Sequence, residues 1–99
     1  MNPQRTATFL MANLGSEALQ VSAFHKQGED SLAKEAATRA SYIIEKLKTY
    51  PEMLTRLPEI ELVEKAIQDG ALRHPTLDIT EEQIQSYFEP FMMRLSTQG

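Results

Sequence analysis

Apolar side chains recur along this chain at steps of three and four residues, which is the spacing of one face of an α-helix. The first stripe predicts a helix over about residues 3–27, with Asn2 able to cap its start and Gly28 to end it. That stripe consists of Ala7, Leu10, Leu14, Ala18, Val21 and His25, with Met11 alongside.

The second stripe begins after a link of only two residues, and it predicts a helix that ends near Tyr50, ahead of Pro51. Asp30 or Ser31 is expected to cap its start. The stripe consists of Leu32, Ala36, Ala40, Ile43, Leu47 and Tyr50, widened by Ala33 and Ile44. Because so short a link reverses the chain direction, the first two helices are expected to form an antiparallel hairpin about 30 Å long.

The second half of the chain predicts two further helices. One helical turn over Glu52–Arg56 is expected to precede a third helix from Pro58 to Asp69, which Gly70 ends. A loop follows around His74. The inner edge of the third helix is expected at Leu62, Val63, Ala66 and Ile67.

The fourth helix has the best-defined start. Thr80 and Gln83 form a capping box, and Ile79 and Ile84 form the hydrophobic staple around it. Pro90 lies inside the helix, where it removes one backbone hydrogen bond and predicts a kink. The apolar face consists of Ile84, Phe88, Phe91 and Leu95. The four stripes together predict an all-α fold, a compact bundle of four principal helices in one domain over residues 1–99.

Composition adds limits to this picture. Of the 99 residues, 41% are hydrophobic and 24% are charged, which excludes wholesale disorder. Cysteine is absent, so disulfides and thiolate metal sites are excluded, and the composition fits a reducing cytoplasm. No apolar stretch is long enough to span a bilayer, and the amino terminus lacks the apolar core of a signal peptide. We therefore expect a cytoplasmic protein with no membrane partner.

Charge argues against nucleic-acid binding. Residues 1–50 hold six Lys/Arg against five Asp/Glu, whereas residues 51–99 hold four against nine. The acidic half would be repelled by a phosphate backbone, and no basic cluster compensates. The third and fourth helices could imitate a helix-turn-helix, but the segment between them is too long for the usual turn of about three or four residues.

Side chains that could carry chemistry are few. The two histidines, His25 and His74, are far apart in the sequence and lack the further ligands that a zinc site needs. Glutamates cluster at predicted helix starts, where the helix dipole explains them: Glu59, Glu61, Glu64, Glu81 and Glu82. No nucleophile elbow or phosphate-binding glycine loop is present. Neither a cofactor nor a catalytic residue is therefore expected, although an enzyme without a known motif remains open.

Two apolar features favour a protein partner. The first helix carries a second, weaker stripe of Phe9, Ala12, Leu19 and Ala23, and a helix that is apolar on two sides must be covered on both. Its cover could be the third or fourth helix of the same chain, or the first helix of another copy. Gly15 and Ser16 are small enough to allow close approach.

The last helix is the second such feature. It is rich in aromatic and methionine side chains, which are enriched in interface cores but also fill the interiors of single chains: Tyr87, Phe88, Phe91, Met92 and Met93. Met93 points away from the main stripe, so it is expected to be exposed or to take part in a second contact.

These features lead to two functional hypotheses. The first is a non-catalytic interaction module, a small adaptor or regulator that forms a homodimer, with partner-binding residues Phe9, Leu19, Phe91, Met92 and Met93. The alternative is a small-molecule-binding or enzymatic domain with a pocket between the hairpin and the last helix, where Tyr42 and His25 would supply polar groups.

Overall fold

A computed structural model describes residues 3–70 and 81–98 of the chain, with the side chains of residues 6–69, 82–91 and 93. It confirms the all-α bundle of four helices, and no strand is present in those ranges. In chain order the elements are α1 (Pro3–Lys26), α2 (Asp30–Leu47), a 3-10 helix (Pro51–Arg56), α3 (Leu57–Gly70) and α4 (Glu81–Gln98).

The predicted hairpin of α1 and α2 is confirmed, and a glycine turn makes it. Gly28 has a φ of 75°, a conformation that side chains other than glycine rarely adopt. The Gly28 N–H donates to the His25 carbonyl at 3.1 Å, and the Glu29 N–H donates to the Phe24 carbonyl at 2.9 Å. This pair of bonds is a Schellman motif, which satisfies the last carbonyls of α1 and reverses the chain.

The start of α2 corrects one expectation. Glu29, and not Asp30 or Ser31, occupies the N-cap position, and its side chain makes no capping bond. The Schellman turn ends at Glu29, whose carbonyl already accepts the first helical bond from Ala33 at 3.0 Å. Asp30 therefore lies within the first turn, where its charge complements the helix dipole.

The end of α2 comes three residues before the expected position. The helix stops at Leu47, and Lys48 and Thr49 form a turn. Tyr50 is extended, with φ −90° and ψ 120°, as expected of a residue that precedes proline. The 3-10 helix then confirms the helical turn predicted for this stretch.

The core lies where α1 faces α2, α3 and α4. Its fully buried larger side chains are Phe88, Met11, Leu14, Ile44, Leu47, Ile60 and Val21. Two expected core positions are wrong: Leu32 is 39% exposed and Leu62 is 63% exposed. In α3 the buried face follows Ile60 and Ile67, and Leu62 lies roughly 200° around the helix from Ile60.

The fourth helix packs against α1 at Gly15. A Cβ atom added there would lie 2.6 Å from Cγ of Phe88, so the ring occupies the space that a side chain would need. The helix continues through Pro90 to Gln98, and the kink expected at Pro90 stays a prediction. The capping threonine, its staple isoleucine and the loop around His74 lie outside the described residues.

Candidate functional site

The five residues expected to bind a partner lie in different environments. Phe9 on α1 is 54% exposed and Met93 on α4 is 59% exposed, whereas Leu19 is partly exposed. Phe91 is buried, with its ring centroid 5.3 Å from the Arg56 guanidinium carbon. The Met92 side chain lies outside the described ones. Phe91 therefore contributes to the interior of this chain, and Phe9 and Met93 offer apolar surface to water.

The face of α1 that points away from the core carries the second apolar stripe. Phe9 and Ser16 are exposed on it, and Ala12, Leu19 and Ala23 are partly exposed. The helices α2, α3 and α4 all pack against α1 without burying this stripe. In the fold of one chain, Phe9 and Ser16 therefore remain exposed to water, and the other three residues of the stripe remain partly exposed.

Charge is almost absent from this helix. Between residues 6 and 24 the only charged side chain is Glu17, and it lies at the border with α2. The Arg39 Nε donates to the Glu17 carboxylate at 2.6 Å, and its Nη2 donates to the Gln20 side-chain oxygen at 3.3 Å. Solvated helix faces usually carry charged residues, so this uncharged face is unusual for one that only contacts water.

The adjoining face of α2 has a different character. Glu35, Arg39, Tyr42 and Lys46 follow one another at helical spacing, and all four are exposed. Tyr42 is 70% exposed, the largest value among the exposed large hydrophobic side chains. Because Arg39 reaches across to Glu17 and Gln20, this row lies on the side of α2 that borders α1. We call the two together the hairpin outer face: Phe9, Ala12, Ser16, Leu19 and Ala23 of α1, with Glu35, Arg39, Tyr42 and Lys46 of α2.

A small apolar groove lies between α3 and α4, with a volume of about 130 Å³. Ala18 of α1 forms part of its wall, and the opposing sides are formed by Leu62, Val63 and Ile67 of α3 and by Ile84 and Tyr87 of α4. The alternative hypothesis expected a pocket between the hairpin and the last helix, with polar groups from Tyr42 and His25, but neither residue lines this groove.

Tyr87 is the polar side chain of most interest at the groove. Its hydroxyl oxygen is buried and has no hydrogen-bond partner. Burial, helped by the negative charge of Glu59 and opposed by Arg56, raises the pKa of this phenol above its usual value near 10. Because its pKa is raised, this phenol stays un-ionised near neutral pH.

Acidic and histidine side chains form no metal site in the described ranges. No group of three or more His, Asp or Glu side chains is close enough there to hold an ion. Two of the three glutamates of α3 instead face cations: Glu59 lies 3.8 Å from Arg56, and Glu64 lies 3.8 Å from Lys48. The His25 Nδ1 is buried without a hydrogen-bond partner.

No helix among the described residues combines the length and the apolar character that a bilayer span requires.

The row on α2 was not anticipated from the apolar stripes. Those stripes identified Phe9 and Leu19, but the exposed side chains of Glu35 to Lys46 resemble any solvated helix face when they are considered alone. The scarcity of charge on α1 is visible in the sequence and could have identified the outer face as a candidate surface. Comparison of the chain with known protein families, with curated proteins and with solved structures gave no significant match.

Proposed function

We propose that this chain is a non-catalytic protein–protein interaction module, a small helical adaptor or regulator that self-associates through the hairpin outer face. The observation that carries the proposal is the uncharged stripe on α1, with the ring of Phe9 54% exposed. Half an aromatic side chain leaves on the order of 100 Å² of apolar surface in water, and burying it is worth about 2 kcal/mol. A symmetric dimer buries that surface twice.

A cytoplasmic location belongs to the same proposal. The chain contains no cysteine, which fits a compartment where thiols stay reduced. We no longer propose Phe91 as a contact residue because it is buried, whereas Met93 remains a candidate for a second contact.

Sedimentation equilibrium over a range of concentrations tests self-association directly. Phe9→Gln is expected to weaken the dimer by about tenfold or more, because the ring lies at the proposed contact. Leu54→Gln is the matched control: Leu54 is 57% exposed, but it lies on the 3-10 helix away from the hairpin outer face. A wild-type chain that stays monomeric at high concentration would contradict the proposal, as would equal effects of the two variants.

A second candidate function is small-molecule binding in the groove between α3 and α4. It is favoured by one observation, the volume of about 130 Å³ with an apolar lining. Such a space suits a ligand of about the size of one aromatic ring. Thermal melts against a panel of small apolar compounds test this candidate, since a bound ligand raises Tm. Ala18→Leu should fill the groove and remove any such rise.

A further inference from the structure

The α1 stripe of the hairpin outer face is nearly symmetric about Ser16, with an offset of one residue at Ala12 and Leu19. Phe9 lies seven residues before Ser16 and Ala23 lies seven after it, while Ala12 and Leu19 lie four before and three after. If two copies pack antiparallel at Ser16, the large Phe9 ring meets the small Ala23 of the second copy, and Leu19 meets Ala12. Large side chains then fill the space left by small ones, as close packing requires.

The α2 row has a matching symmetry of charge. Its midpoint lies between Arg39 and Tyr42, and Glu35 and Lys46 are equally far from that midpoint. In an antiparallel pair, Glu35 comes opposite Lys46 of the second copy, and Arg39 comes opposite Tyr42. The first contact pairs opposite charges, and the second places a guanidinium against an aromatic ring. A parallel pair would instead place Glu35 against Glu35.

A single two-fold axis can serve both helices. The Arg39 guanidinium contacts Glu17 at 2.6 Å and Gln20 at 3.3 Å, which places the midpoint of the α2 row within about one helical turn of Ser16 on α1. An axis that crosses both helices at this level stacks α1 on α1 and α2 on α2, with the directions reversed. Each contact then occurs twice, as an interface between identical copies demands.

We propose that the occupant of the hairpin outer face is the same face of a second copy of this chain, antiparallel, with the two-fold axis beside Ser16. The inference rests on the proposed function and specifies its partner and geometry. The two hairpins then stack as two layers, with the uncharged α1 stripes in contact in one half of the interface and the charged α2 rows in contact in the other half.

Cysteine cross-linking tests the geometry cleanly, because the chain contains no cysteine of its own. Ser16→Cys should form an intermolecular disulfide under mild oxidation, since the two sulfur atoms lie beside the axis. Phe9→Cys and Ala23→Cys should cross-link when they are mixed and hardly at all when each is alone. Leu62→Cys is the control, because Leu62 is 63% exposed on α3, away from the hairpin outer face.

Charge exchange tests the α2 row. Glu35→Lys and Lys46→Glu should each weaken self-association about tenfold, because each creates two contacts between like charges. An equal mixture of the two variants should recover the wild-type affinity as a heterodimer, in which both pairs are again opposite in charge. Glu52→Lys makes the same change in net charge as Glu35→Lys, but on the exposed 3-10 helix, and should have little effect.

The possible outcomes distinguish a failure of the antiparallel geometry from a failure of the proposed self-association. A wild-type chain that sediments as a monomer at every concentration overturns both. If the wild type forms a dimer, but the Phe9→Cys variant on its own cross-links as well as the Ser16→Cys variant does, only the antiparallel geometry is overturned. Failure of the mixed charge variants to recover the wild-type affinity also overturns the geometry. Cross-linking at Ser16 together with recovery in the mixture supports it.

Discussion

Gly15 lies where α1 packs against Phe88 of α4. A Cβ atom at this position would be 2.6 Å from Cγ and 2.7 Å from Cβ of Phe88, a side chain that is only 1% exposed. The sequence predicted that this small residue permits a close approach, but it could not identify the approaching element. Periodicity shows which residues share a helix face, whereas the neighbour of that face depends on how all the helices pack.

Substitution of Gly15 by alanine should therefore destabilise the fold. We expect Gly15→Ala to lower the free energy of unfolding by about 1–3 kcal/mol through overpacking, more than alanine gains in helix propensity. Thermal denaturation followed by circular dichroism measures the change. Asn13→Ala is the control in the same helix and should stay within about 0.5 kcal/mol of the wild type. A stabilising Gly15→Ala would contradict the close contact with Phe88.

The Tyr87 hydroxyl leads to a prediction about alkaline pH. Because burial raises its pKa in the folded state, the unfolded chain loses this proton first as the pH rises past about 10. The stability associated with Tyr87 is fully present below that pH and is lost as the pH rises through the folded pKa. Tyr87→Phe should remove this part of the alkaline loss, and near neutral pH it should be neutral or slightly stabilising, because the hydroxyl has no partner.

Urea denaturation of the wild type and of Tyr87→Phe, at pH 8 and again near pH 11, measures the difference. Tyr42→Phe is the control, since its side chain is 70% exposed. A wild type and a Tyr87→Phe variant that lose equal stability between the two pH values would contradict the burial of this phenol.

At the scale of the helices, the sequence predicted well which helices form and in what order. It predicted less well which face of each helix is buried. The buried faces of α1 and α2 are unambiguous because many apolar residues in each long stripe fall on the same side of the helix. In the shorter α3, Ile60 and Leu62 are both apolar but lie on different faces, and the sequence alone could not decide which one is inside. The packing against α2 and α1 decides it, and Ile60 is buried.

Substitution of Pro90 tests how much this proline lowers the stability of the continuous helix α4. The proline is exposed and lies within a continuous helix, where it lacks the N–H that would bond to the Ser86 carbonyl. Pro90→Ala restores that donor, and we expect it to raise the free energy of unfolding by about 1–3 kcal/mol. Glu89→Ala, the exposed neighbour, serves as the control. A destabilising Pro90→Ala would show that the packing of α4 requires the proline conformation.

At the scale of the whole molecule, the candidate site could be predicted only in part. The sequence identified Phe9 and Phe91 by the same reasoning, yet one is half exposed and the other is buried. Hydrophobic spacing is the same for a core stripe and a contact stripe, so it cannot separate them. The distinction depends on whether another element of the chain reaches the stripe, which is a property of the assembled bundle.

Self-association of the kind proposed here makes the folding of the whole molecule depend on its concentration. When a dimer unfolds to two separate chains, each tenfold increase in concentration stabilises the dimer by about 1.4 kcal/mol, which is about 0.7 kcal/mol per chain. For a chain of this size, that should raise Tm by about 3–5 °C. Phe9→Gln should lose this dependence over the range in which its dimer no longer forms, whereas Leu54→Gln should retain it, because both residues are similarly exposed but only Phe9 lies on the hairpin outer face. Calorimetry at several concentrations measures the shift, and a wild-type Tm that is independent of concentration would mean that the α1 stripe remains in water.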